Sequence, residues 1–106
     1  MITWITGNSG AGKTTLARKM RINETILDGD AMRACWPGLG FSKKDRWENN
    51  LRIARIAKML EDQGHDVIVA TICPYRELRE EVRKITGCKF IYIEGGKTGV
   101  QYPYEH

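Results

Sequence analysis

At 106 residues, with a formal net charge of +4 from 17 basic and 13 acidic side chains, the chain has room for one modest α/β core and predicts a single domain over residues 1–106. The basic residues are dispersed, a bias that suits small anionic ligands and is too weak for a nucleic-acid track. Cys35, Cys73 and Cys88 are odd in number and lack C-x-x-C spacing, which argues against a disulfide framework or zinc site and for free thiols in a reducing, cytoplasmic setting. No apolar run is long enough to span a bilayer, and Met1 opens a strand rather than a signal peptide.

In chain order, Met1–Thr6 are β-branched and apolar, the composition of a buried strand. Gly7-Asn8-Ser9-Gly10-Ala11-Gly12-Lys13-Thr14 follows and matches G-x-x-x-x-G-K-[ST] at every fixed position. Lys13–Met20 then reads as a helix with Leu16, Ala17 and Met20 as its apolar stripe. Strand, glycine-rich loop and helix together predict a phosphate cradle, with backbone N–H groups and the helix N-terminus facing the anion. Lys13 is expected to reach the β- and γ-phosphates of ATP and Thr14 to ligate Mg²⁺, with Thr15 beside them.

Beyond the first helix, Thr25–Asp28 reads as a short strand and Ala31–Cys35 as a short helix capped by Asp30. Ser42-Lys43-Lys44-Asp45 has capping-box form and opens the longest helix, which runs to about Gln63 and stops at Gly64. Its Ile53, Ile56, Ala57 and Leu60 form a core stripe, while Arg46, Asn49 and Asn50 share another face. Val67–Ile72 is a strand buried on both sides, Leu78, Val82 and Ile85 mark a helix ended by Gly87, and Lys89–Ile93 is the last strand. Alternating strands and helices predict a parallel sheet with its ligands beyond the carboxyl ends of the strands. That edge carries the phosphate loop, Asp28-Gly29-Asp30, Thr71–Arg76 and Glu94-Gly95-Gly96.

Four further pieces accompany the loop in order: Leu27-Asp28-Gly29-Asp30 with Arg33; Leu39-Gly40-Phe41-Ser42 with Asp45-Arg46 and Asn49; Val67–Ala70; and Cys73-Pro74-Tyr75-Arg76. Their order and wording resemble the adenylylsulfate kinase (APS kinase) family, P-loop enzymes that phosphorylate the 3′-hydroxyl of adenosine 5′-phosphosulfate (APS). The resemblance runs from Ile5 to Arg83 and resumes weakly at Thr98-Gly99 and Pro103–Glu105. It implies a three-layer P-loop kinase fold with strand order 25–28, 67–72, 1–6, 89–93.

The same resemblance implies catalytic work for Lys13, Asp28 and Asp30, with Asp30 also at the metal beside Thr14. It implies acceptor contacts from Arg33, Phe41, Arg46, Asn49, Pro74, Tyr75 and Arg76, and a nucleotide-base contact from the Thr98–Tyr104 segment, at Thr98 and Gly99. Read from the residues alone, Asp30 also suits a helix cap, Arg46 a solvated face and Phe41 a core position.

The chain departs from the family's pattern in several places. Cys73 replaces a usual serine and Leu51 an arginine, and the connection from Met20 to Thr25 is short. After Ile93 the family's helical lid and its phosphate-contacting arginine are missing, and Lys97 stands where an acceptor-stacking aromatic is usual.

Three readings follow. The first is ATP- and Mg²⁺-dependent phosphorylation of APS or a similar anionic nucleotide, away from membranes and by a homodimer. The second is transfer to another hydroxyl acceptor: a polynucleotide end, a nucleoside or a modified base. The third is a nucleotide-binding module with little catalysis.

Overall fold

Residues 1–106 are all described by a computed structural model. The elements in chain order are β1 (Ile2–Thr6), α1 (Lys13–Met20), β2 (Thr25–Asp28), α2 (Gly29–Ala34), α3 (Lys43–Asp62), β3 (Val67–Ala70), α4 (Arg76–Thr86) and β4 (Lys89–Tyr92). The strands form one parallel sheet in the order β2-β3-β1-β4, the order expected from the sequence. Trp4 pairs with Val69 on one side and Phe90 on the other, which sets the register of the central strands.

The two-residue alternation of the strands sorts the core into two layers. Trp4, Val67 and Val69 face one way, into a cluster with Ile53, Ala57, Leu78 and Val82 of α3 and α4. Ile5, Ile68 and Ala70 face the other way and pack on Ala17 of α1. The helices therefore cover both faces of the sheet, as parallel strands require. No helix is long and apolar enough to cross a membrane.

Helix ends follow local chemistry. Gly12 adopts the left-handed conformation (φ 95°) at the start of α1, and Gly87 (φ 63°) closes α4. The Ser42 hydroxyl accepts from the Asp45 amide at 3.1 Å, capping α3. The capping box is only half formed, because the Asp45 carboxylate turns to accept from Gly40 N–H at 3.0 Å instead. The expected cap of α2 is corrected. Asp28, not Asp30, holds that helix start, and α2 begins at Gly29 because the Asp28 carboxylate accepts from the amides of Asp30 (2.9 Å) and Ala31 (3.1 Å).

β3 ends at Ala70, short of the expected Ile72, and the chain bends toward Cys73, which has φ 42°. Beyond β4 the chain forms no further helix or strand. It returns across the sheet edge to α4, where Glu105 N–H donates to the Pro74 carbonyl (2.7 Å) and its carboxylate accepts from the Arg76 amide (2.8 Å). Tyr104 and Thr6 hydroxyls share a hydrogen bond of 3.0 Å. These bonds fasten the last segment to the carboxyl end of β1, where the phosphate loop begins.

Candidate active site

The strand ends, the first turn of α1, α2 and the start of α3 enclose a cleft of about 580 Å³. Ser9, Gly10, Gly12, Lys13, Thr14 and Thr15 form its floor, and Gly7, Asn8 and Ala11 complete the loop behind them. Asn8 is buried, and its carbonyl accepts from the Ala11 amide at 3.1 Å and from Lys13 Nζ at 2.9 Å. Burial pushes the Lys13 ammonium below the usual lysine range, while the carboxylates of Asp30 and Asp28 act the other way. A cation partly stripped of water, with one carbonyl for a partner, is ready for phosphate oxygens.

Asp28 is the hinge between this floor and the opposite wall. One carboxylate oxygen accepts from the Thr14 hydroxyl at 2.5 Å, and the other accepts the two α2 amides. Burial alone would raise its pKa. The Thr14 hydroxyl, the two amides and Lys13 outweigh that and hold the carboxyl below its usual value, so Asp28 stays ionised. Asp30 differs: its carboxylate is exposed and makes one ion pair, with Arg33 at 2.9 Å. The carboxylate set against Thr14 thus belongs to Asp28, not to Asp30 as the family resemblance implies.

The opposite wall is built from side chains. The Arg33 guanidinium lies 4.3 Å from the centroid of the Phe41 ring, and Phe41 is 62% exposed, which excludes the core position open to it from sequence. Arg33 and Arg46 both line the cleft, and each keeps a buried Nε with no hydrogen-bond partner. Two guanidinium groups lining one cleft suit an anion. Arg46 therefore does not occupy a solvated face.

Beneath that wall runs a buried polar lattice. Asn50 accepts from the Thr71 hydroxyl at 2.6 Å and donates to the Arg46 carbonyl at 2.8 Å. Asn49 Nδ2 reaches the Gly29 carbonyl at 3.5 Å, and its Oδ1 is buried without a partner. A Cβ on Gly29 would come within 3.0 Å of Thr71 Cβ, so α2 starts directly against the end of β3. Asn49 therefore supports the wall without lining it, whereas Asn50 and Thr71 do line it. The signal for Asn50 was its spacing four residues after Arg46 on the same helix face.

Four of the expected contact residues fall elsewhere. Pro74 lines the cleft, but Tyr75 is buried on the other side of that loop, stacked on Trp47 with centroids 5.7 Å apart. Arg76 opens α4 and lines a separate shallow groove with Lys43 and Glu105. Thr98 and Gly99 are exposed outside the cleft, and Gln101 and Tyr102 from the same segment line it instead. Cys73 is buried, and burial pushes its thiol well above the usual range against the opposing Arg79 guanidinium, so it is inert as a nucleophile.

A parallel sheet with this loop, lysine and threonine at its carboxyl edge defines a P-loop protein of the kinase fold. A sequence profile described as adenylylsulphate kinase matches residues 1–105, and the chain belongs to that family. It is 44% identical to an adenylyl-sulfate kinase of Myxococcus xanthus over 103 residues, covering 87% of this chain and 55% of that one. It is 50% identical to one from Gloeothece citriformis over 88 residues, covering 76% and 50%. The APS kinase of Mycobacterium tuberculosis, solved in complex with AMPPNP and APS, superposes with a TM-score of 0.75 at 39% identity, covering 86% of this chain and 59% of that one. The chain thus spans about half the length of the curated relatives it matches.

Proposed function

We propose that the chain transfers the γ-phosphoryl group of ATP to the 3′-hydroxyl of APS. The observation that carries this is the convergence of Arg33, Arg46 and the exposed Phe41 ring on the cleft whose floor is the phosphate loop. Relatives that match 76–87% of the chain are adenylyl-sulfate kinases, and one was solved with an ATP analogue and APS.

The donor phosphates lie on the loop amides and Lys13, and the acceptor's phosphosulfate pairs with Arg33 and Arg46. Phe41, exposed at the cleft mouth, stacks on the acceptor's adenine. The Thr14 hydroxyl and the Asp28 carboxylate beside it would hold Mg²⁺, which takes one or two protein oxygens beside substrate phosphates. When bound, that ion neutralises charge on the β- and γ-phosphates.

In the transfer, the 3′-oxygen forms a bond to the γ-phosphorus, the β–γ bridging bond breaks, and ADP leaves. The hydroxyl proton passes to the Asp30 carboxylate, which is exposed and bonded only to Arg33. The test is to incubate the chain with ATP, Mg²⁺ and APS and resolve the nucleotides. The expected products are ADP and 3′-phosphorylated APS in equal amounts, with none from the Lys13→Ala variant. Transfer to oligonucleotide ends but not to APS would replace this acceptor, and nucleotide binding without turnover would leave only a binding role.

A further inference from the structure

The turn after β4 leans on the phosphate loop by backbone alone. Ile93 N–H donates to the Thr6 carbonyl at 2.9 Å, and a Cβ on Gly7 would meet the Ile93 carbonyl oxygen at 2.6 Å. Three residues on, Gly96 has φ 76°, and a Cβ there would fall 2.6 Å from the Ser9 oxygen, 2.9 Å from the Ala11 nitrogen and 3.0 Å from the Asn8 oxygen. The next amide, of Lys97, donates to the Ser9 carbonyl at 2.8 Å. The Asn8 oxygen that Gly96 touches is the one that accepts from both Ala11 N–H and Lys13 Nζ. Gly96 therefore sits against the bond that closes the loop and against the anchor of its lysine.

From these contacts we infer that the turn Gly95-Gly96-Lys97 is a brace that holds the phosphate loop in its anion-binding shape, with Gly96 as the positioning residue. This inference rests on the phosphate-loop part of the reading above and not on its acceptor. Side chains could be exchanged along the turn at little cost, but nothing larger than hydrogen fits at Gly96 without displacing loop backbone. Displacement there turns amides away from the phosphates.

Gly95 supplies a matched control. It also has positive φ (100°), yet a Cβ on it would meet nothing within 4 Å. Gly95→Ala and Gly96→Ala thus carry similar backbone strain and differ in contact with the loop.

The experiment titrates Mg²⁺–ADP and inorganic tripolyphosphate into the full chain, the two glycine variants and Lys13→Ala by calorimetry, with a thermal melt of each. Gly96→Ala is expected to weaken both ligands by the same factor, about tenfold or more, and Gly95→Ala by less than about threefold. Equal weakening by the two glycine variants overturns the brace while leaving the phosphate loop intact. Failure of the unaltered chain to bind either ligand overturns the brace and the nucleotide reading together.

Should Gly96→Ala not fold, hydrogen exchange on the unaltered chain decides. Tripolyphosphate is expected to slow exchange at the Lys97 amide together with the loop amides. Protection of the loop alone contradicts the brace.

Discussion

The two walls of the cleft are made of different material. The donor wall is backbone: the loop amides, the Asn8 carbonyl that holds Lys13, and the Gly96 turn pressed against them. The acceptor wall is side chain: Arg33 from α2, Phe41 from the connecting loop and Arg46 from α3, resting on the lattice of Asn49, Asn50 and Thr71. A backbone wall depends on glycines at fixed spacing and is spoiled by adding atoms. A side-chain wall depends on three separate elements converging and is spoiled by removing them. Asp28 joins the two, with one carboxylate oxygen on Thr14 of the donor wall and the other on the start of α2.

The sharpest break in this contrast is Lys13→Ala, which deletes the donor wall's cationic side chain. Turnover in the kinase assay is expected to fall by at least about 10²-fold, with little change in thermal midpoint, since Nζ makes a single bond, to Asn8.

A smaller effect concerns the joint. Asp28 has a carboxyl pKa held below its usual value, so its stabilising contribution is present above the unfolded carboxylate's pKa and is lost as pH falls through the lower folded-state value. Thermal midpoints measured from neutral pH down to about 3 should fall on the acid side. Asp28→Asn, which keeps a cap oxygen but cannot ionise, should fall less steeply there. An unchanged acid limb in that variant would mean the link through Asp28 carries no titrating charge.

The smallest effect is Ser42→Ala, expected to cost about 1 kcal/mol in denaturant unfolding by uncapping α3. It leaves the ADP titration unchanged, because the Ser42 hydroxyl bonds only the Asp45 amide.

The difference in material also explains what could be read from the amino-acid sequence. The parallel sheet was legible because buried strands such as Val67–Ala70 are continuous apolar runs alternating with helices, and the resemblance supplied the strand order. The loop was legible because backbone geometry leaves a motif in contiguous residues. The cap of α2 was misread because Asp28 and Asp30 both suit that role, and only the bend out of β2 decides which carboxylate faces the free amides. Tyr75 and Arg76 were placed in the cleft by resemblance, but the bend at Cys73 (φ 42°) precedes a turn that stacks Tyr75 on Trp47 instead. Gln101 and Tyr102 lie in the Thr98–Tyr104 segment that the resemblance places at the nucleotide base, but which of its residues reach the cleft depends on Glu105 and Tyr104 tying it back to α4 and β1.

The most direct test of two separately built walls is a crossed titration. AMPPNP with Mg²⁺, and APS alone, are titrated by calorimetry into the unaltered chain, Lys13→Ala and Arg46→Ala. Lys13→Ala is predicted to lose AMPPNP binding and keep APS binding. Arg46→Ala is predicted to weaken APS by about tenfold or more while leaving AMPPNP within about twofold. Loss of both ligands in either variant, or the absence of APS binding to the unaltered chain, would contradict the account.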